Sequence, residues 1–88
     1  MHFNPSKPEQ LTFLEASVNY TILHYADGST EIHSYTLKKF EEKLDSLKSF
    51  SRIHRRYLVN TAFVKRRNTE EVLLFCGKRL PVARRRRV

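Results

Sequence analysis

The 88-residue chain is poor in glycine, with two in all, and has no tryptophan. With Gly28 and Gly77 as the only glycines, a Gly-rich phosphate cradle is hard to build. No nucleophile elbow or metal-spaced histidine pair is present either, so an enzyme is not expected. The single cysteine, Cys76, excludes an intramolecular disulfide and a zinc-ligand pair, which suits a reducing cytoplasm. Next to Gly77 it reads as a small buried hydrophobe. No apolar run approaches the roughly 18 residues of a spanning helix. Residues 1–5, Met-His-Phe-Asn-Pro, lack the basic start and apolar stretch of a signal peptide. The expected location is therefore cytoplasmic, with no membrane partner, no cofactor and no small-molecule substrate.

What the chain has is basic charge, unevenly placed. Residues 1–51 carry five Lys/Arg and seven Asp/Glu, and residues 52–88 carry twelve and two, so net charge runs from −2 to +10 within a total of +8. A field of one sign concentrated in one half draws polyanions, nucleic acid above all. At 88 residues and 40% hydrophobic content, one modest core is expected and no second domain.

Residues 1–10, with Pro5 and Pro8 among polar neighbours, read as an extended, partly disordered lead-in to a single domain over 11–88. Leu11 to Ala16 has strand composition and leads into a loop, Ser17-Val18-Asn19-Tyr20. Residues 20–25 and 30–35 form a hairpin about Asp27-Gly28. Two registers are open: a two-residue turn pairs Leu23 with Ile32, and a type I turn with Gly28 in a bulge pairs Ile22 with Ile32. Thr36 is placed to cap a helix from about 37 to about 48, whose stripe is Leu37, Phe40, Leu44 and Leu47. Later strands are expected at Ala62–Arg66, Val72–Phe75 and Arg79–Val82, the last at an edge because Pro81 has no amide proton. His24 and His33 read as hydrogen-bonding strand residues, His24 opposite Glu31 or Thr30, and no metal site is expected.

The stretch Phe50-Ser51-Arg52-Ile53-His54-Arg55-Arg56-Tyr57-Leu58-Val59-Asn60 sets apolar residues between arginines. It reads as a short element held by its apolar side chains and showing guanidinium groups outward, which suits phosphate and base-edge recognition. It resembles the central signature of the LytTR DNA-binding domains of bacterial response regulators. The likeness extends to Phe13-Leu14-Glu15-Ala16 with Asn19-Tyr20, to the helix opening Leu37-Lys38, and to Leu80-Pro81-Val82-Ala83-Arg84-Arg85.

The resemblance implies a mainly β fold of short antiparallel sheets with one principal helix, reading duplex DNA through loops that enter the major groove. Two copies on a direct repeat, and so self-association on DNA, are implied with it. Arg55 and Arg56 are the first candidates for reading guanine, the alternative being that both only neutralise phosphates. Arg52 is assigned to phosphate or to a structural salt bridge. Asn19 could pair with adenine or serve the turn, and Tyr20 could reach phosphate with its hydroxyl. Arg84, Arg85 and Arg86 supply a third basic segment, Arg86 and Arg87 reading as solvated tail rather than base readers. Ala83 departs from the serine common in the family. His54 is expected to be a half-buried donor and Asn60 a backbone-capping residue, both structural.

Relatives commonly carry a receiver domain for which this chain has no room, so a stand-alone regulator or an excised domain is expected. Two rival functions are a small basic RNA-binding protein, for which exposed aromatic platforms are lacking, and a protein-binding antagonist, which would have shed these arginines.

Overall fold

A computed structural model describes residues 6–44 and 49–86, with the backbone alone for Pro8 and Arg86. Eight strands and one helix follow in the order β1 (Leu11–Ser17), β2 (Tyr20–Tyr25), β3 (Thr30–His33), α1 (Leu37–Leu44), β4 (Phe50–His54), β5 (Tyr57–Asn60), β6 (Val64–Arg67), β7 (Glu71–Leu74) and β8 (Arg79–Pro81). Five of the strands form one antiparallel sheet in the order β3-β2-β1-β5-β4, and the rest form a second sheet in the order β6-β7-β8. The expected class, mainly β with one principal helix, is what is found. The expected helix end at residues 45–48, with Leu47, lies outside the described residues.

The central strand β1 is buried at four successive positions, Leu11 to Leu14, because both faces of the large sheet are covered. On one face Leu11, Leu14, Leu23, Tyr25 and Leu58 pack against Leu37, Phe40 and Leu44 of α1. On the other, Phe13, Ile53 and Val59 pack against Val72, Leu74, Leu80 and Val82 of the small sheet and its exit. A bulge at Thr12 makes this possible. Strict alternation would send Leu11 and Phe13 to the same face; the register slip between them sends one to each core, and the Thr12 hydroxyl donates to His24 O at 2.8 Å. Fully buried side chains such as Leu14, Phe40 and Ile53 each contribute about 1.5–3 kcal/mol.

The hairpin register is the second of the two alternatives, Ile22 opposite Ile32 and His24 opposite Thr30. Gly28 at φ 89° donates to Tyr25 O at 3.0 Å, and Tyr25 N–H donates to Ser29 O, a type I turn with a glycine bulge. The β7–β8 turn repeats it with Gly77 at φ 94° donating to Leu74 O. Thr36 accepts from Lys39 N–H at 3.4 Å as expected of a cap.

Three local expectations are corrected. Strand β3 stops at His33 rather than Tyr35. Thr61–Phe63 is a turn of 3-10 helix rather than strand, because the Asn60 side chain caps it by accepting from Ala62 N–H at 3.0 Å. Cys76, expected to be buried, is exposed at the tip of the β7–β8 turn. Pro81 does lie on an edge strand, β8.

Residues 6–10 are tied to the β2–β3 hairpin. Lys7 Nζ reaches Asp27 Oδ2 at 2.6 Å and lies 5.2 Å from the Tyr25 ring centroid, Ser6 donates through its hydroxyl to Glu31, and Ala26 N–H donates to Gln10 O at 2.8 Å. The hydroxyl of Ser6, with Tyr25 and His33 after it, holds the Glu31 carboxyl down at about 2.

A candidate nucleic-acid interface

The strand directions bring the β1–β2, β3–α1 and β4–β5 connections to one end of the molecule, since β1, β3 and β4 run toward it and β2 and β5 run away. In the small sheet β6 and β8 run opposite to β7, and the bond from Ala83 N–H to Ile53 O sets the exit of β8 beside the end of β4. The β1–β2 turn, the β4–β5 turn, the β6–β7 turn and the segment after β8 therefore share this end. The two glycine-bulge turns and residues 6–10 lie at the opposite end.

The signature is a hairpin rather than one short element. Strands β4 and β5 are joined through Arg55 and Arg56 alone, with His54 opposite Tyr57. Neither arginine is a favoured residue for a tight turn, and side chains brace the connection instead. Arg52 donates from Nε to His54 O (2.8 Å), from Nη2 to Arg55 O (2.6 Å) and from Nη1 to Glu41 Oε1 of α1 (2.7 Å). Arg56 N–H donates to His54 Nδ1 at 3.1 Å, and Arg56 O accepts from Ala16 N–H of β1 at 2.8 Å. His54 is thus an acceptor at Nδ1, which leaves the neutral ring's proton on Nε2. Burial, and then the charges of Arg55, Arg56 and Arg52, push its pKa below the ordinary histidine value and favour that neutral form. Asn60, at the far end of β5, donates from Nδ2 to Leu11 O at 2.8 Å while capping the following turn.

The chain returns to this end after β8. Val82 N–H donates to Glu70 O, Ala83 N–H donates to Ile53 O at 2.7 Å, and Arg84–Arg86 make a turn of 3-10 helix. The result is an open depression of about 600 Å³ lined by His54, Arg55, Ala83, Arg84 and Arg85. Arg55, Arg56, Arg84 and Arg85 are exposed, and none forms an ion pair with a carboxylate of a described residue. Like charges gathered around one depression repel one another unless an anion joins them.

Beside the signature hairpin, β1 and β2 are joined by a turn of two residues, Val18 and Asn19, with Ser17 opposite Tyr20. The loop expected over 17–20 is thus a tight connection, and Tyr20, 52% exposed, opens β2. Asn19 is exposed. Val18, which sequence reasoning passed over, is 94% exposed and takes φ 54°. The β6–β7 turn, closed by Asn68 Oδ1 accepting from Glu70 and Glu71 N–H, also lies at this end. The geometry so gathers Asn19, Tyr20, Arg55, Arg56, Arg84 and Arg85 at one end. Arg86 follows them in backbone, and Arg52 lies beneath, bound to its own fold.

Among the described residues no helix is long and apolar enough to cross a membrane. No curated protein matched the sequence. Among solved structures, the chain is similar to the LytTr DNA-binding domain of a Bacillus cereus protein assigned as a methyl-accepting/DNA response regulator. That match has a TM-score of 0.78 and 28% identity over 89% of this chain and 74% of the other. The profile of the LytTr DNA-binding domain matches residues 4–88. With that match over nearly its whole length, and with the same fold, the chain belongs to the LytTR family of DNA-binding domains.

Proposed function

We propose that this domain regulates transcription by binding duplex DNA sequence-specifically, with the β1–β2 turn, the β4–β5 turn and the Arg84–Arg86 turn presented to the major groove. The observation that carries the reading is the open depression lined by Arg55, Arg84 and Arg85, none of them paired with a carboxylate of a described residue. Arg55 or Arg56 reads guanine through O6 and N7, and Arg84 and Arg85 hold phosphates. Arg52 is set apart as a brace, since its donors already serve His54, Arg55 and Glu41. Two copies bind in tandem on a direct repeat. As a bacterial regulator the protein works in the cytoplasm, where its DNA is.

The test begins with selection of bound sequences from a random duplex pool, followed by anisotropy titrations at several salt concentrations. Selected duplexes should carry one element twice in the same orientation, about one helical turn apart. Arg84→Ala and Arg85→Ala should each flatten the log–log salt slope by about 0.9, since each variant neutralises one phosphate fewer. Arg55→Ala or Arg56→Ala should cost about 1–3 kcal/mol of discrimination at one base pair. Tight binding to structured RNA alone, or duplex binding without sequence selection, would reject the reading.

A further inference from the structure

We infer that Val18 reads the 5-methyl group of a thymine from the tip of the β1–β2 turn. This rests on the reading above, that the turn is presented to the major groove, and adds a specificity-determining side chain to it.

Three observations meet at this residue. The first is its backbone. Val18 is the only non-glycine residue at positive φ among those described, at 54°. For a β-branched residue that is a genuine outlier, since Cβ crowds the following carbonyl. Its neighbour Asn19 is of the type that tolerates this conformation at least cost, yet the left-handed position falls on the valine. A turn selected for stability alone would hold asparagine or glycine there. Strain kept at one exposed position is a mark of function.

The second is exposure. At 94% the side chain packs on nothing of its own chain. Its stiff χ1 nevertheless fixes the direction of both methyls.

The third is placement. Ala16 N–H is bonded to Arg56 O, so β1 runs alongside the arginine turn at that level. Val18 stands two residues further along, past the strand end at Ser17 and in the tip of the turn itself. It therefore leads the chain at this end of β1, placed to meet a base edge beside the arginine turn. In the major groove the apolar feature on a base edge is the thymine methyl, and small apolar groups recognise it.

The experiment uses the full chain and the duplex selected above, with each thymine replaced singly by deoxyuridine, against wild type and Val18→Gly. Glycine accepts positive φ, so this variant keeps the turn, and its Tm should equal or exceed that of wild type. Removing one particular methyl should weaken wild type about four-fold, the worth of one buried methyl. Val18→Gly should bind the parent duplex at that weakened level and ignore the replacement. If wild type binds the selected duplex with a steep salt slope but every replacement is silent, or affects both proteins equally, the inference falls while the DNA reading stands. If wild type selects no duplex at all, the reading fails and the inference with it.

Discussion

Replacing Arg52 with methionine would separate a brace from a DNA contact. The side chain is 13% exposed and makes contacts of 2.8, 2.7 and 2.6 Å to His54 O, Glu41 Oε1 and Arg55 O. Hydrogen bonds from a charged group are worth about 1.5–3 kcal/mol each when buried. Two reductions apply here. Glu41 is 39% exposed, so its ion pair belongs near the 0–1 kcal/mol of surface pairs. The two carbonyls lie near the turn and regain water once the guanidinium is gone. A net loss of about 1–3 kcal/mol follows, or on the order of 5–20 °C in Tm for a domain of this size. Methionine keeps the aliphatic stem, so little of this is packing. Urea denaturation would measure the loss, and Glu41→Gln should reproduce the ion-pair share without removing a positive charge. The decisive reading is the salt dependence of DNA binding. A brace acts through the shape of the Arg55–Arg56 turn, so affinity falls while the log–log slope stays put. A slope flatter by about 0.9 with unchanged stability would mean that Arg52 touches a phosphate, and would refute the assignment.

Other expectations are simpler to test. Gly77→Ala and Gly28→Ala should each cost about 1–2 kcal/mol in urea unfolding, because φ of 94° and 89° is strained for any side chain. Nothing lies within 4 Å of either added Cβ, so crowding is not the cause, and asparagine at either site should cost less than alanine. Asn60→Ala should lose about 1–3 kcal/mol by leaving Leu11 O and the Ala62 amide without their partner. Glu31 has a folded-state pKa held below its ordinary value of 4.5, at about 2. Its contribution is therefore full above pH 4.5 and is lost as pH falls toward 2. Amide exchange at Ser6 and Glu31 should speed up across that window, and a carboxyl titrating near 4.5 in the folded protein would contradict the contact.

The fold class was legible because strand composition, the Asp27-Gly28 turn and the Leu37-Phe40-Leu44 stripe each report on neighbours in sequence. The family was legible because its motifs occur in order along the chain. What escaped depends on contacts made at a distance. The hairpin register was open because Ile22 and Leu23 are equally apolar; α1 decides it by burying Leu23 and Tyr25 with its own stripe. The Thr12 bulge has no signal of its own and follows from one strand serving two cores. The Arg55–Arg56 connection hid as a turn because its chemistry is supplied by His54 and Arg52 rather than by glycine or asparagine. For the same reason the sequence could offer His54 as a donor, where the fold uses its Nδ1 as an acceptor. Val18 went unnoticed because a valine between serine and asparagine reads as an ordinary loop residue until its φ is known.

The convergence of the arginine segments is tested most directly by amide chemical-shift mapping of the labelled protein with a selected duplex. Shifts are predicted at residues 18–20, 54–56 and 83–86 together, with residues 26–29 and 75–78 at the far end unmoved. A duplex that perturbs the far turns instead, or just one of the three basic-end segments, would contradict a single composite DNA face.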